Sequence, residues 1–353
     1  MIKSFFLLCI STALFANSDY IPFSKFSQNK NVENSFTKVQ QKTKQKKYTN
    51  FKKQKTNYTY INNSILKNTL EISTSLSNFN SKSEQYIYNL GDGRKISQLT
   101  WNADNVKLFG LGLKYKTDEV AFYANYKTNI KDGDALMDDY DWLEDSTPDT
   151  WTHWSHHENT QVKDIKILDL GISRSHYLNS STKLNTSIGY KWEKQLFKAY
   201  DGSYVYSSSS GFRDLEGNIS GLGITYNQEY KGLYLGVELE KNYKNINFLF
   251  NTKYTPLMNV EFTDTHHLRV PAFTDYTSFD KTSMFSLGAK ADYFITKNQI
   301  LSLSYDYTKY TKIRGNRVRS YETGYDLSLP NTVGIESSND LLTLDYIYKF
   351  QVR

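Results

Sequence analysis

The segment Leu301-Ser302-Leu303-Ser304-Tyr305-Asp306-Tyr307-Thr308 alternates apolar and polar residues at every step. A period of two marks a strand, because successive side chains point to opposite faces. One face here is compatible with lipid, and the other carries serine, aspartate and threonine. The pattern recurs where Phe285, Leu287, Ala289 and Ala291 alternate with Ser286, Gly288, Lys290 and Asp292. It appears again where Leu342, Leu344, Tyr346, Tyr348 and Phe350 alternate with Thr343, Asp345, Ile347 and Lys349. A soluble sandwich would alternate too, but its strands usually run about 5–6 residues. These runs are much longer.

Outward from this segment, ten such runs cover about 69–88, 94–116, 119–137, 160–177, 182–206, 219–240, 244–262, 277–296, 299–320 and 332–350. An even number suits a closed antiparallel barrel. Short joints near Thr117, Ser180, Asn242 and Lys297 alternate with longer, more polar ones at 89–93, 138–159, 207–218, 263–276 and 321–331. That asymmetry is expected of periplasmic turns and outer loops, with both termini on the periplasmic side. Runs of about 20 residues exceed the roughly 9–11 that cross a bilayer. The expected fold is therefore all-β: a ten-stranded antiparallel transmembrane β-barrel extending beyond the outer-membrane surface.

The first residues indicate export. Lys3 precedes an apolar run from Phe5 to Phe15, and Ala13-Leu14-Phe15-Ala16 offers a cleavage site, so 1–16 reads as a signal peptide. The single cysteine, Cys9, lies within it, so the exported chain must rely on burial and backbone pairing rather than disulfides. Residues 25 to 55 hold ten lysines and one acid, Glu33, which concentrates the net charge of +6 in one segment. Residues 17–68 are rich in Lys, Asn, Gln, Thr and Ser and bury too little apolar surface to offset ordering. They read as a disordered periplasmic spacer; a basic arm for an anionic polymer is the alternative. Residues 69–353 form the barrel domain. After the signal no run approaches the ~18 apolar residues of a membrane helix, whereas 29 tyrosines and 15% aromatic residues suit interfacial girdles. Composition alone leaves a secreted soluble β-protein open.

Two titratable clusters fall in long joints on the same expected side. They are Asp138-Asp139-Tyr140-Asp141-Trp142-Leu143-Glu144-Asp145 and Asp264-Thr265-His266-His267. In extended chain, residues i and i+2 share a face, so Asp139 can point with Asp141, and Asp264 with His266. A carboxylate beside an imidazole fixes its tautomer and raises its basicity, which makes it a base for water. A facing carboxylate pair can hold the same water and share a proton. On spacing alone, a calcium site or a solvated surface explains the acidic cluster at least as well, and simple loop decoration explains the histidines. The spacing of His153, His156 and His157 is unspecific for a metal.

Several stretches in one order resemble the omptins, endoproteases of Gram-negative outer membranes. They are Gly93-Arg94-Lys95-Ile96-Ser97-Gln98-Leu99-Thr100-Trp101, Asp141-Trp142 with Pro148 and Thr150-Trp151-Thr152, Gly202-Ser203-Tyr204-Val205-Tyr206-Ser207-Ser208, Gly211-Phe212-Arg213-Asp214 and Gly334-Ile335-Glu336. The resemblance covers about 69 to 350. It puts the family's DxDW element on Asp139, Asp141 and Trp142, and its DxH element on Asp264 and His266. It implies peptide hydrolysis without a covalent intermediate: His266, oriented by Asp264, takes a proton from water while Asp139 and Asp141 position that water. No metal or organic cofactor is implied.

For substrate binding, Glu84 stands where omptins carry a groove acid that receives basic residues. Phe262 stands where the second acid would be, and His153 matches another. The expectation is cleavage near basic residues, without strict dibasic specificity. Tyr190 and Lys194 fit the family's lipopolysaccharide site, while Glu229 replaces an expected Arg; a lipopolysaccharide requirement belongs among the expectations. The expected partners are polypeptide substrates and outer-membrane lipid, not nucleic acid, with a monomeric barrel whose active site faces the cell exterior. The competing reading is a catalytically silent barrel acting as an adhesin or binding surface. A diffusion pore fits less well, since ten strands enclose little free lumen.

Overall fold

The computed structural model describes residues 68–352; the expected signal peptide, and all of the basic segment but Asn68, lie outside the described residues. Twelve antiparallel strands form one sheet: β1 (Asn68–Tyr88), β2 (Lys95–Lys116), β3 (Val120–Asn129), β4 (Gly133–Asp141), β5 (His153–Asn179), β6 (Thr182–Tyr206), β7 (Leu215–Tyr243), β8 (Ile246–His266), β9 (Phe273–Ser278), β10 (Thr282–Phe294), β11 (Gln299–Tyr321) and β12 (Asp326–Val352). Both β3 and β4 pair with β2 and β5, and both β9 and β10 pair with β8 and β11. Each pair is one barrel position broken in the middle. The sheet closes because β1 pairs with both β2 and β12, so the ring has ten positions.

Closure removes every free strand edge, which is what lets a sheet cross lipid. The apolar face forms a belt near the termini, from Ile72 and Leu76 on β1 through Leu111 and Leu113 on β2, Leu235 and Val237 on β7, Phe248 and Phe250 on β8, and Leu301 and Leu303 on β11. Asp264 lies seven residues past Leu257, the last exposed large apolar residue of β8. At ~3.3 Å per residue this sets it about 23 Å farther along the strand. The chemistry therefore sits above the bilayer.

On β2 and β8, a β-bulge decides which face reaches the lumen. In β2, Ala103 and Val106 oppose Ser81 and Phe79 of β1, so β2 carries one extra residue there. Asn105 takes φ of +58°, and its amide donates to Asn80 Oδ1. In β8, Thr255 and Met258 oppose Met284 and Thr282, again with one extra residue, at Pro256. Proline has no amide to give the ladder, so it belongs at such an irregularity. An extra residue swaps the two faces beyond it. On β8, Phe250 faces lipid while Met258, Val260, Phe262 and Asp264 face inward.

The lumen is layered. Near the termini it holds a polar cavity of about 380 Å³, lined among others by Glu71, Lys116, Asp169, Lys253, Lys290 and Asp292. Above this, side chains from facing strands close the barrel. Trp101 stacks on Tyr226 at 5.0 Å and lies 5.5 Å from Phe197, and Tyr230 stacks on Tyr310 at 3.8 Å. Burying these rings anchors the barrel wall, and the layer separates the lower cavity from the upper groove.

Candidate active site

Met137, Asp139 and Asp141 alternate along β4 and face inward, Met137 being fully buried. Opposite them in register on β2 stand Trp101, Leu99 and Ser97. Ser97 Oγ donates to Asp139 Oδ1 at 3.0 Å. Across the lumen, β8 brings Asp264 and His266 inward beyond its bulge. Asp264 is 1% exposed; its Oδ2 accepts from Gln85 Nε2 at 2.9 Å and lies 3.2 Å from His266 Nε2. Asp264 Oδ1 is buried without a hydrogen-bond partner. The His266 ring stacks on Phe273 at 4.5 Å.

All four residues line one cavity of about 350 Å³ at the mouth. Ile87, Ile96, Leu99 and Leu143 form an apolar wall, while Arg269, Asp275, Arg317 and Arg319 line the β9–β11 side. Burial pushes the Asp139 carboxyl well above the ordinary range, and the charge of Asp141 adds to this; the Ser97 hydroxyl and Arg269 pull the other way. Burial likewise raises Asp141, opposed by Ser97, His153, Arg269 and His266. Two close carboxyls that both resist ionisation favour sharing a proton.

The expected clusters thus converge, but on strand ends rather than in loops. The joints expected at 138–159 and 263–276 shrink to 142–152 and 267–272. Above the membrane the backbone still needs partners, so the ladder continues. No lipid faces these strand ends, so the apolar half of the sequence pattern fades while the pairing persists.

Glu84 is a correction. It shares the face of Ile72 and Leu76, on a β1 that pairs with β12 without interruption, so it lies on the outside of the barrel. There its carboxylate accepts from Tyr86 Oη at 3.2 Å and Gln98 Nε2 at 3.1 Å, with Lys82 at 2.9 Å. The inward neighbour is Gln85, a neutral amide. Phe262 is 2% exposed and packs on Tyr226 and Phe279, so it belongs to the aromatic layer rather than the cavity lining. Tyr190 and Lys194 lie on the outer face in step with exposed Ile188, and Lys194 Nζ is 3.4 Å from Asp164.

The three histidines divide. His153 packs at a tilt against Tyr206 and lies close enough to Asp141 to lower its carboxyl, whereas His156 points outward to Asp138 at 2.8 Å. His157 is buried inside. They do not converge on one point. Gln85, Ser97, Tyr206 and the Asp275–Arg317–Arg319 cluster went unmarked by motif reasoning. Alternation counted from the belt nominates Gln85 on β1, but on β2 the bulge at Asn105 reverses the count, so Ser97 escapes it.

A closed barrel with titratable pairs at the mouth above an apolar belt is the architecture of an outer-membrane β-barrel protease. Comparison with known proteins agrees: the Omptin family profile matches residues 66–350, and the chain belongs to the omptin family. Protease 7 of Escherichia coli strain K12 is 27% identical over 282 residues, covering 78% of this chain and 89% of that relative. Outer membrane protease IcsP of Shigella flexneri is 30% identical over 226 residues, 63% of this chain and 71% of the relative. The crystal structure of outer membrane protease OmpT from Escherichia coli superposes with a TM-score of 0.76 at 26% identity, covering 80% of this chain and 97% of that one.

Proposed function

We propose that this protein is an outer-membrane endopeptidase in which water is activated between the Asp264–His266 pair and the Asp139–Asp141 pair. The observation that carries the reading is that both pairs line one cavity at the barrel mouth. Donation of the Nε2 proton toward Asp264 leaves His266 Nδ1 as the basic nitrogen, able to take a proton as water attacks a peptide carbonyl. Asp139 and Asp141, sharing a proton, hold that water and return a proton to the leaving amine. The scheme has an acceptor and a donor among its own side chains, so it calls on neither metal nor organic cofactor.

Preference for basic residues loses its support once Glu84 lies outside the barrel. Tyr190 and Lys194 suit contact with a lipopolysaccharide phosphate on the outer face, and a monomer suffices for every step. The test is cleavage of quenched peptides by Asp264→Ala and His266→Ala. Each should lose about 10²-fold or more in kcat/KM, the usual contribution of a general base, while heat-modifiable migration persists. Full activity in either variant refutes the mechanism.

A further inference from the structure

We propose that the groove selects substrates with an acidic residue close to the scissile bond, received on the β9–β11 side by Arg269 and the Arg317–Arg319 pair. This deepens the peptidase reading and rests on it for the meaning of the scissile bond. Asp275 is the carboxylate among the lining residues of that side, and it is 1% exposed. It accepts from Arg317 Nη1 at 2.6 Å and from Arg319 Nε and Nη2 at 2.8 Å each. Two guanidiniums share one carboxylate, which leaves one positive charge in excess. Arg269, on the turn between β8 and β9, adds a second: among the described residues it has no carboxylate within ion-pair distance.

The other surfaces offer a lysine or arginine side chain little. The floor beneath the quartet is aromatic, with Phe262, Tyr226 and Trp101 buried in contact. The side chain next to Asp264 is the neutral Gln85, whose Oε1 is buried without a donor. Asp264 is held by Gln85 and the His266 ring, and Asp139 and Asp141 lie on the β4 side. The groove is therefore dipolar, negative toward β4 and positive toward β9–β11. Arg269 is felt at both Asp139 and Asp141, so its charge reaches the reaction centre. A carboxylate seated there gains charge-assisted hydrogen bonds from guanidinium forks, while an ammonium meets like charge.

The test compares peptides that carry Glu or Lys at each of three positions on either side of one cleaved bond. They are cleaved by the full-length barrel and by Arg269→Glu, and the readout is the Glu/Lys ratio of kcat/KM within each enzyme. The wild type should favour Glu by about tenfold at one or two positions, and Arg269→Glu should reverse that preference; partly exposed ion pairs set this scale. A preference for Lys at every position, or a ratio that Arg269→Glu leaves unchanged, overturns the proposal. Binding of the same peptides, fluorescently labelled, to the His266→Ala barrel needs no turnover. If the wild type cleaves nothing yet binding keeps an Arg269-dependent preference for Glu, the peptidase reading falls and the acid-selective groove stands.

Discussion

Ser97→Ala should shift the pH profile without dismantling the site. Ser97 Oγ donates to Asp139 Oδ1 at 3.0 Å and counters the upward push on both Asp139 and Asp141. A hydrogen bond to a charged acceptor is worth about 1.5–3 kcal/mol. The pair is only half-buried and partly screened, so the lower end applies. With ~1.4 kcal/mol per pKa unit, the loss amounts to about one unit. The sign follows from which form the hydroxyl supports. Ser97 stabilises the ionised carboxyls, so removing it favours protonation and moves both titrations of the pair upward. If the shared proton is needed for turnover, the alkaline limb of kcat/KM moves to higher pH by about one unit. Ser97→Thr keeps the donor and should leave that limb in place. The assay is cleavage of a neutral quenched peptide from pH 4 to 10, with barrel integrity checked by heat-modifiable migration. An alkaline limb that stays still, or moves down, refutes the shared-proton assignment.

Asp139→Asn should lose at least about 10²-fold in activity, as expected for a participant in proton transfer, yet unfold at a higher temperature near pH 8. A carboxyl whose folded pKa is raised contributes stability at low pH that is lost as pH rises through that value. The neutral amide avoids this loss, so the two proteins should converge at acidic pH; a lower unfolding temperature at pH 8 contradicts the assignment. Glu84→Gln should leave peptide preference unchanged, because its carboxylate lies on the outer surface with Tyr86 and Gln98; a changed preference for Arg or Lys substrates would return it to the groove. Asp275→Ala strands Arg317, 8% exposed, beside Arg319 without a counter-ion, and should destabilise the rim by about 3–5 kcal/mol. Double substitution of Asp275 and Arg317 by Asn and Met should recover part of that loss, as read from the unfolding temperature.

Strand count, barrel closure and the side on which the two clusters meet were legible in the sequence because lipid enforces a period of two wherever it touches the wall. What resisted reading was the face of each side chain above the membrane. On β1, counting by twos from lipid-facing Ile72 and Leu76 puts Glu84 outside and Gln85 inside, and the structure agrees. Matching family positions alone had put Glu84 in the groove. The same count fails on β8: stepping by twos from lipid-facing Phe250 would send Asp264 and His266 outward, yet both face the cavity.

The difference lies in one residue per strand. Pro256 on β8 and Asn105 on β2 each mark an inserted position, and each swaps the faces beyond it. Were β8 regular through Pro256 with no residue lost, Asp264 and His266 would lie on the outer surface. Were β2 likewise regular through Asn105, Ser97 would turn away from Asp139. Both bulges lie between belt and mouth, where the lipid constraint has ended and the chemical one has not begun. A barrel whose wall must be apolar outside below and catalytic inside above needs such a change of phase wherever the two patterns fall out of step. On β1, where Leu76 and Gln85 are already in step, no bulge occurs. Deleting Leu257 should therefore remove the β8 bulge yet leave Met258 opposite Thr282 and keep Asp264 and His266 inward, so cleavage should survive in a barrel that still closes. Loss of cleavage in such a barrel would show that the bulge itself, and not only the inward face it restores, positions the pair.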